Sequence, residues 1–168
     1  NFTIGGVLYV FDPSASTPTS TAIGTITSAT GESIPNGGDL YFDRSGNMYL
    51  VASNASSSAL YRVDAAQIAS GGLKATKMVD LMGIPTGSNA NGVAFASDGY
   101  LYVSVSMPGA SQLLKIDPAS GAQIGATLTL NSPDGSIPPK VGDLGNCVSP
   151  RTLTVVKNIA GRATPTDQ

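Results

Sequence analysis

The sequence predicts an all-β chain built from repeated units of four short antiparallel strands. Three observations carry that expectation. The composition is turn-rich, with 20 Gly and 11 Pro among 168 residues, 41% hydrophobic and only 12% charged. One short passage is written twice, as RSGNMYLVAS at residues 44–53 and SDGYLYVSVS at residues 97–106. Within these passages apolar residues alternate, as in Leu101, Val103 and Val105, which is the period of a pleated strand with one face buried.

The register of the repeat holds across loops. Leu40 and Val93, Phe42 and Phe95, Gly46 and Gly99, and Tyr49 and Tyr102 are each 53 apart. ALYRVD at residues 59–64 falls on QLLKID at residues 112–117 at the same offset of 53, although the intervening loops differ. Toward the N-terminus, VLYVFDPSAS at residues 7–16 matches the same third segment, with Asp12 lying 52 before Asp64. Toward the C-terminus, VGDLGNCV restarts the unit, with Leu144 lying 51 after Val93.

Each unit therefore holds four strand candidates. They are DLYFD or GVAFA, then MYLVAS or LYVSVS, then LYRVD or LLKID, then ATKMVDL or IGATLTL. Ser-Gly, Asp-Gly, Asp-Pro and Ser-Gly-Ala separate them, and these are turn residues. The expected organisation is a half unit at 7–28, whole units at 39–82 and 93–130, and the start of another at 141–148, together making a repeat region over 1–148. A C-terminal strand and tail follow at 149–168.

Four antiparallel strands repeating near fifty residues are the pattern of a β-propeller blade. The second strand followed by L-x-x-I-D-P-x-S-G resembles blades of the NHL and gluconolactonase-like propellers. It also resembles the propeller-like domains of bacterial cell-surface proteins that carry immunoglobulin-like stalk repeats. About three blades' worth of sequence is present, whereas propellers close with ~4–8 blades. The ring is thus expected to be incomplete within one chain, with further blades in a longer chain, with several copies building one ring, or with the sheets stacked in an open, elongated assembly, each leaving an exposed apolar face for a partner.

TLTVVKN at residues 152–158 is strongly β-forming and has two readings. Leu153 lies 52 after Leu101, as a second strand of the last blade should, and could close a blade between chain ends or neighbouring molecules. The segment through Gln168 also resembles the first strand and turn of an immunoglobulin-like stalk repeat.

Charge and composition exclude several functions. Nine basic residues against eleven acidic ones give a net charge of −2, without the basic field that holds nucleic acid. No apolar run approaches the ~20 residues of a membrane-spanning helix, so no membrane insertion is expected. Asn1 in place of an initiator methionine is compatible with removal of an upstream signal segment. Cys147 is the single cysteine, which excludes an intrachain disulfide and Cys-rich metal sites. The low charge and Ser/Thr/Gly content suggest a secreted or surface-displayed bacterial protein.

The chain contains no histidine, which removes Ser-His-Asp and Cys-His arrangements and imidazole metal sites. Glu32, the single glutamate, lies in TGESIPNGGDL, a loop leading into an innermost strand. With Asn36, Asp39, Asn91 and Asp143, and with Asn89 beside them, it forms a candidate oxygen-ligand set for Ca²⁺, which takes 6–8 hard oxygens. By resemblance, propeller lactonases use carboxylate and amide sets of this kind. The competing reading is that Asp and Asn before a strand cap turns. Asp12, Asp64, Asp98, Asp117 and Asp134 are read as turn residues. Tyr9, Tyr41, Tyr49, Tyr61, Tyr100 and Tyr102 are read as packing rather than sugar-stacking groups. Asn1-Phe2-Thr3 and Asn54-Ala55-Ser56 match a glycosylation sequon, which matters only in a glycosylating source.

The expected function is a non-enzymatic extracellular structural or adhesive surface protein, self-assembling as a filament or multi-chain ring or forming part of a longer adhesin, without catalytic residues or a cofactor. The alternative is a lactonase-like hydrolase or Ca-dependent small-ligand binder.

Overall fold

The structure is a computed structural model that describes residues 2–4, 6–14, 16–17, 19–35, 37–54, 56–107, 110–131, 141 and 143–145. Asn1, Asn36, Asp134, Cys147 and the C-terminal segment 149–168 lie outside the described residues, and so do the expectations attached to them. The described residues form three β-sheets and one short helix.

The middle sheet draws four of its strands from residues 37–80. Strands β5 (Gly37–Phe42), β6 (Met48–Ser53), β7 (Ser58–Val63) and β8 (Lys74–Asp80) pair in sequence order, each antiparallel to the last. The third sheet repeats the plan with β9 (Asn89–Phe95), β10 (Leu101–Met107), β11 (Ala110–Ile116) and β12 (Leu128–Leu130). The fourth strand expected over IGATLTL is shorter than its sequence suggests. Ile124 instead donates its backbone N–H to the Lys115 carbonyl at 2.8 Å, as part of the turn after β11.

The first sheet contains β1 (Phe2–Ile4), β2 (Val7–Asp12) and β3 (Thr19–Thr25), in that order. The expected half unit corresponds to β2 and β3, third and fourth strands by repeat position. β1 adds a second strand that the sequence pattern did not single out. A two-residue strand, β4 (Thr27–Ser28), then leaves this sheet and pairs in parallel with the start of β8, extending the middle sheet to five strands.

Local chemistry explains the turns. Asp43 Oδ1 accepts the backbone N–H groups of Ser45 and Asn47 at 2.8 and 2.9 Å, and Gly46 supplies the positive φ of 81°. Asp12 and Asp117 each accept the N–H two residues on, from Ser14 and Ala119, both at 2.9 Å. Asp64 departs from this pattern. It pairs with Arg62 at 2.8 Å while the chain enters the helix α1 (Ala65–Ser70), which ends at Gly71 in the left-handed conformation.

One irregularity recurs. β3 bulges by one residue opposite Leu8 and Tyr9, and β8 bulges by one residue opposite Leu60 and Tyr61, the repeat equivalents 52 residues on. The first and middle sheets thus share this bulge, whereas a bulge between β9 and β10 at Ser104–Val105 has no counterpart between β5 and β6.

The middle sheet is buried on both faces. On one side Met48, Ala59, Tyr61 and Val63 pack with Leu8 and Ile23 of the first sheet. On the other, Val51 and Leu60 pack with Val93, Phe95, Val105 and Leu114 of the third. Tyr41 and Tyr49 lie against Phe95 with ring centroids 5.3 and 5.2 Å apart, so these tyrosines are packing groups.

Candidate functional site

A cleft of about 1030 Å³ opens between the first sheet and β5 of the middle sheet. Apolar residues Ile26, Ile34, Leu40 and Phe42 line part of it, and Glu32, Asp39, Lys74 and Asp143 supply its charged groups. Three of the five expected ligand residues, Glu32, Asp39 and Asp143, thus share one cleft. Asn91 does not join them. It lines a neighbouring hollow with Asn89, Asn54 and Ser53.

Asp39 is the centre of the site. Its Oδ1 accepts the Leu40 N–H and its Oδ2 accepts the Val93 N–H, both at 2.7 Å. The second bond ties β5 of the middle sheet to β9 of the third. Burial pushes the Asp39 carboxyl up to about 6. The two backbone bonds pull against that rise, and the charge and hydrogen bond of Asp143 add to it.

Repeat position explains why the two aspartates meet. Asp39, Gly92 and Asp143 are successive equivalents, 53 and 51 apart. A Cβ on Gly92 would lie 2.7 Å from the Leu144 nitrogen and 2.8 Å from the Asp143 carbonyl carbon. The missing side chain lets residues 143–145 lie against β9 and brings Asp143 to Asp39.

Serines tie the same units together. Ser53 Oγ hydrogen-bonds Ser58 Oγ at 2.7 Å and accepts the Ala90 N–H at 3.1 Å. One unit on, Ser111 Oγ accepts the Val141 N–H at 3.3 Å and Ser106 Oγ donates to the Val141 carbonyl at 3.5 Å. Val141 lies 51 after Ala90, so each hairpin mouth holds the start of the following unit. The sequence signal was present: Ser53 and Ser58 are five apart, as are Ser106 and Ser111. Lys74 gave no such signal, because only the parallel pairing of β4 with β8 brings it to the cleft.

Glu32 borders both the cleft and a hollow of about 240 Å³ that holds Tyr61, Lys77 and Asp80. Burial pushes the Tyr61 hydroxyl upward, and the Glu32 charge adds to the shift. Among the described residues no group of three or more His, Cys, Asp or Glu side chains is placed to hold a metal ion. The chemistry available is that of a carboxyl pair able to share a proton. Elsewhere, Lys115 lies 4.1 Å from the Tyr100 ring centroid and pairs with Asp98 at 2.9 Å. No helix among the described residues is long and apolar enough to cross a membrane.

Comparison with known proteins gives no match: no family model, no curated protein and no solved structure aligns with the chain.

Proposed function

We propose that the chain is a propeller-like structural or adhesive module of an extracellular surface protein, which works by self-association rather than by catalysis. The observation that carries this reading is the use of Asp39. Both of its oxygens are bonded to backbone N–H groups, one of them in the next sheet. A carboxylate held in this way ties one sheet to the next through the backbone. The absence of histidine and the serine pairs that engage each following unit agree with a scaffold.

The alternative, a lactonase-like hydrolase or Ca-dependent ligand binder, is favoured by the cleft itself, which Glu32, Asp39 and Asp143 all line and in which Asp39 and Asp143 interact. Sedimentation of the purified chain, beside metal analysis and assay against a panel of lactones, separates the two. The structural reading expects an oligomer, no stoichiometric Ca²⁺ and no turnover. A compact monomer that hydrolyses a lactone overturns it.

A further inference from the structure

Positions that serve the repeat alone recur from unit to unit. A side chain that departs from the repeat, at a local distortion of its strand, calls for a separate account. β9 contains such a place. Its pairing with β10 runs from Ser104 opposite Gly92 to Val105 opposite Ala90, which leaves Asn91 as an extra residue without a partner. The equivalent pairing of β5 with β6 is uninterrupted, and the residue 53 before Asn91 is Gly38. Bulges of this kind re-aim a side chain beside binding sites.

The bulge delivers Asn91 to a hollow of about 420 Å³ that the middle and third sheets line together, and Asn89 and Asn54 join it there. Asn89 and Asn91 flank Ala90, which is fully buried and donates its N–H to Ser53 Oγ at 3.1 Å. The pair is thereby held at the mouth of the β6–β7 hairpin. Asn54 lies in the turn of that hairpin. Its Oδ1 accepts the backbone N–H groups of Ser56 and Ser57 at 2.8 and 2.9 Å, which fixes the amide and leaves the two donors of Nδ2 over. Among the described residues no hydrogen bond engages Asn54 Nδ2 or the side-chain amides of Asn89 and Asn91. The hollow thus presents amide groups that the fold itself does not use.

The lining selects a class of ligand. Its described residues carry no charge, so neither a cation nor an anion meets a countercharge, and Ile34 and Pro35 add a small apolar floor. Amides that donate and accept match neighbouring hydroxyls, which do both, and the apolar floor suits the C–H face of a sugar ring. A peptide is recognised through a run of backbone groups along a strand edge, whereas these amides gather at one compact hollow. Its volume lies within the ~300–1,000 Å³ of small-ligand pockets. We infer that this hollow binds a neutral saccharide unit through Asn54, Asn89 and Asn91. The site is separate from the cleft around Asp39 and needs no Ca²⁺. It also stands apart from self-association, which sedimentation tests independently.

Nitrogen–proton correlation NMR of the full chain tests the assignment, with EDTA present throughout. The probes are the methyl glycosides of mannose, galactose, fucose and N-acetylglucosamine at millimolar concentration, beside a neutral alanine tripeptide amide. The expected result is saturable shifts of the Asn54, Asn89 and Asn91 side-chain amides with at least one glycoside and none with the tripeptide. Asn54→Asp keeps the oxygen that caps the turn and removes both donors, and Asn91→Ala removes an amide that makes no hydrogen bond among the described residues. Each should weaken binding of that glycoside about tenfold or more while the circular dichroism spectrum is unchanged. Shifts of the same amides with the tripeptide assign the hollow to peptide and overturn the saccharide. Glycoside shifts confined to other residues, or no shift with any glycoside, overturn the site. Each of these results leaves the sedimentation outcome, and the self-association reading with it, as it stands.

Discussion

Ser104 occupies the position that is Val51 in the preceding unit, and it is fully buried with no hydrogen-bond partner for its hydroxyl among the described residues. A buried unpaired hydroxyl costs about 1–3 kcal/mol. Ser104→Ala is expected to raise stability by roughly 1 kcal/mol in urea unfolding, since it removes that penalty and leaves only a small void. Asp39 makes a second prediction. Its carboxyl is raised from 3.8 to about 6 in the fold, so the folded state favours the protonated form. The associated stability is fully present below pH 3.8 and is lost as pH rises toward 6. After discounting for screening at a site open to the cleft, the loss is about 1–2 kcal/mol. Asp98 and Asp117 act in a separate window, because their lowered carboxyls contribute above about pH 3.8 and lose that contribution only at lower pH. Thermal unfolding followed between pH 4 and 6 should therefore show a falling midpoint that Asp39→Asn flattens.

The strands that the sequence showed best were those whose neighbours are repeated. β5 to β7 and β9 to β11 follow from alternation and from turns whose Asp and Gly residues fix the geometry locally. β4 was missed because a long-range contact decides it, whereas β1, three residues hairpinned onto β2, and α1, six residues with none buried, are too short to show a period. β4 has two residues and exists through its pairing with β8, where Thr27 N–H meets the Leu73 carbonyl at 2.9 Å. Thr27→Pro removes that donor and is expected to cost roughly 1–3 kcal/mol, read by urea unfolding, with loss of hydrogen-exchange protection at Ala29, whose N–H bonds the Ala75 carbonyl. The candidate site was legible in part for the same reason. Asp39 and Asp143 stood out by residue type and unit position, and the structure joins them. Asn91 lies one residue before Gly92, the equivalent of Asp39, and it lines the hollow outside the cleft. Ser53 and Ser111 could have been found by their spacing, whereas Lys74 depends on a crossover that no local pattern records.

Across the whole molecule, the middle sheet is the shared component of both cores. Leu60 is fully buried within the cluster that joins it to the third sheet. Leu60→Ala is expected to cost about 2–5 kcal/mol. Because the first and third sheets both pack on the middle one, denaturation should remain a single transition by fluorescence of the tyrosines and by circular dichroism. Two separated transitions would show that the sheets do not form one cooperative unit. The recurrent bulges opposite Leu8–Tyr9 and Leu60–Tyr61 bear on how such a molecule is made. A strand slipped by one residue turns its apolar side outward, and a fixed bulge marks one alignment as correct. Each β-hairpin can then find its alignment from nearby residues as it leaves the ribosome, before the chain that will cover its face has been synthesised.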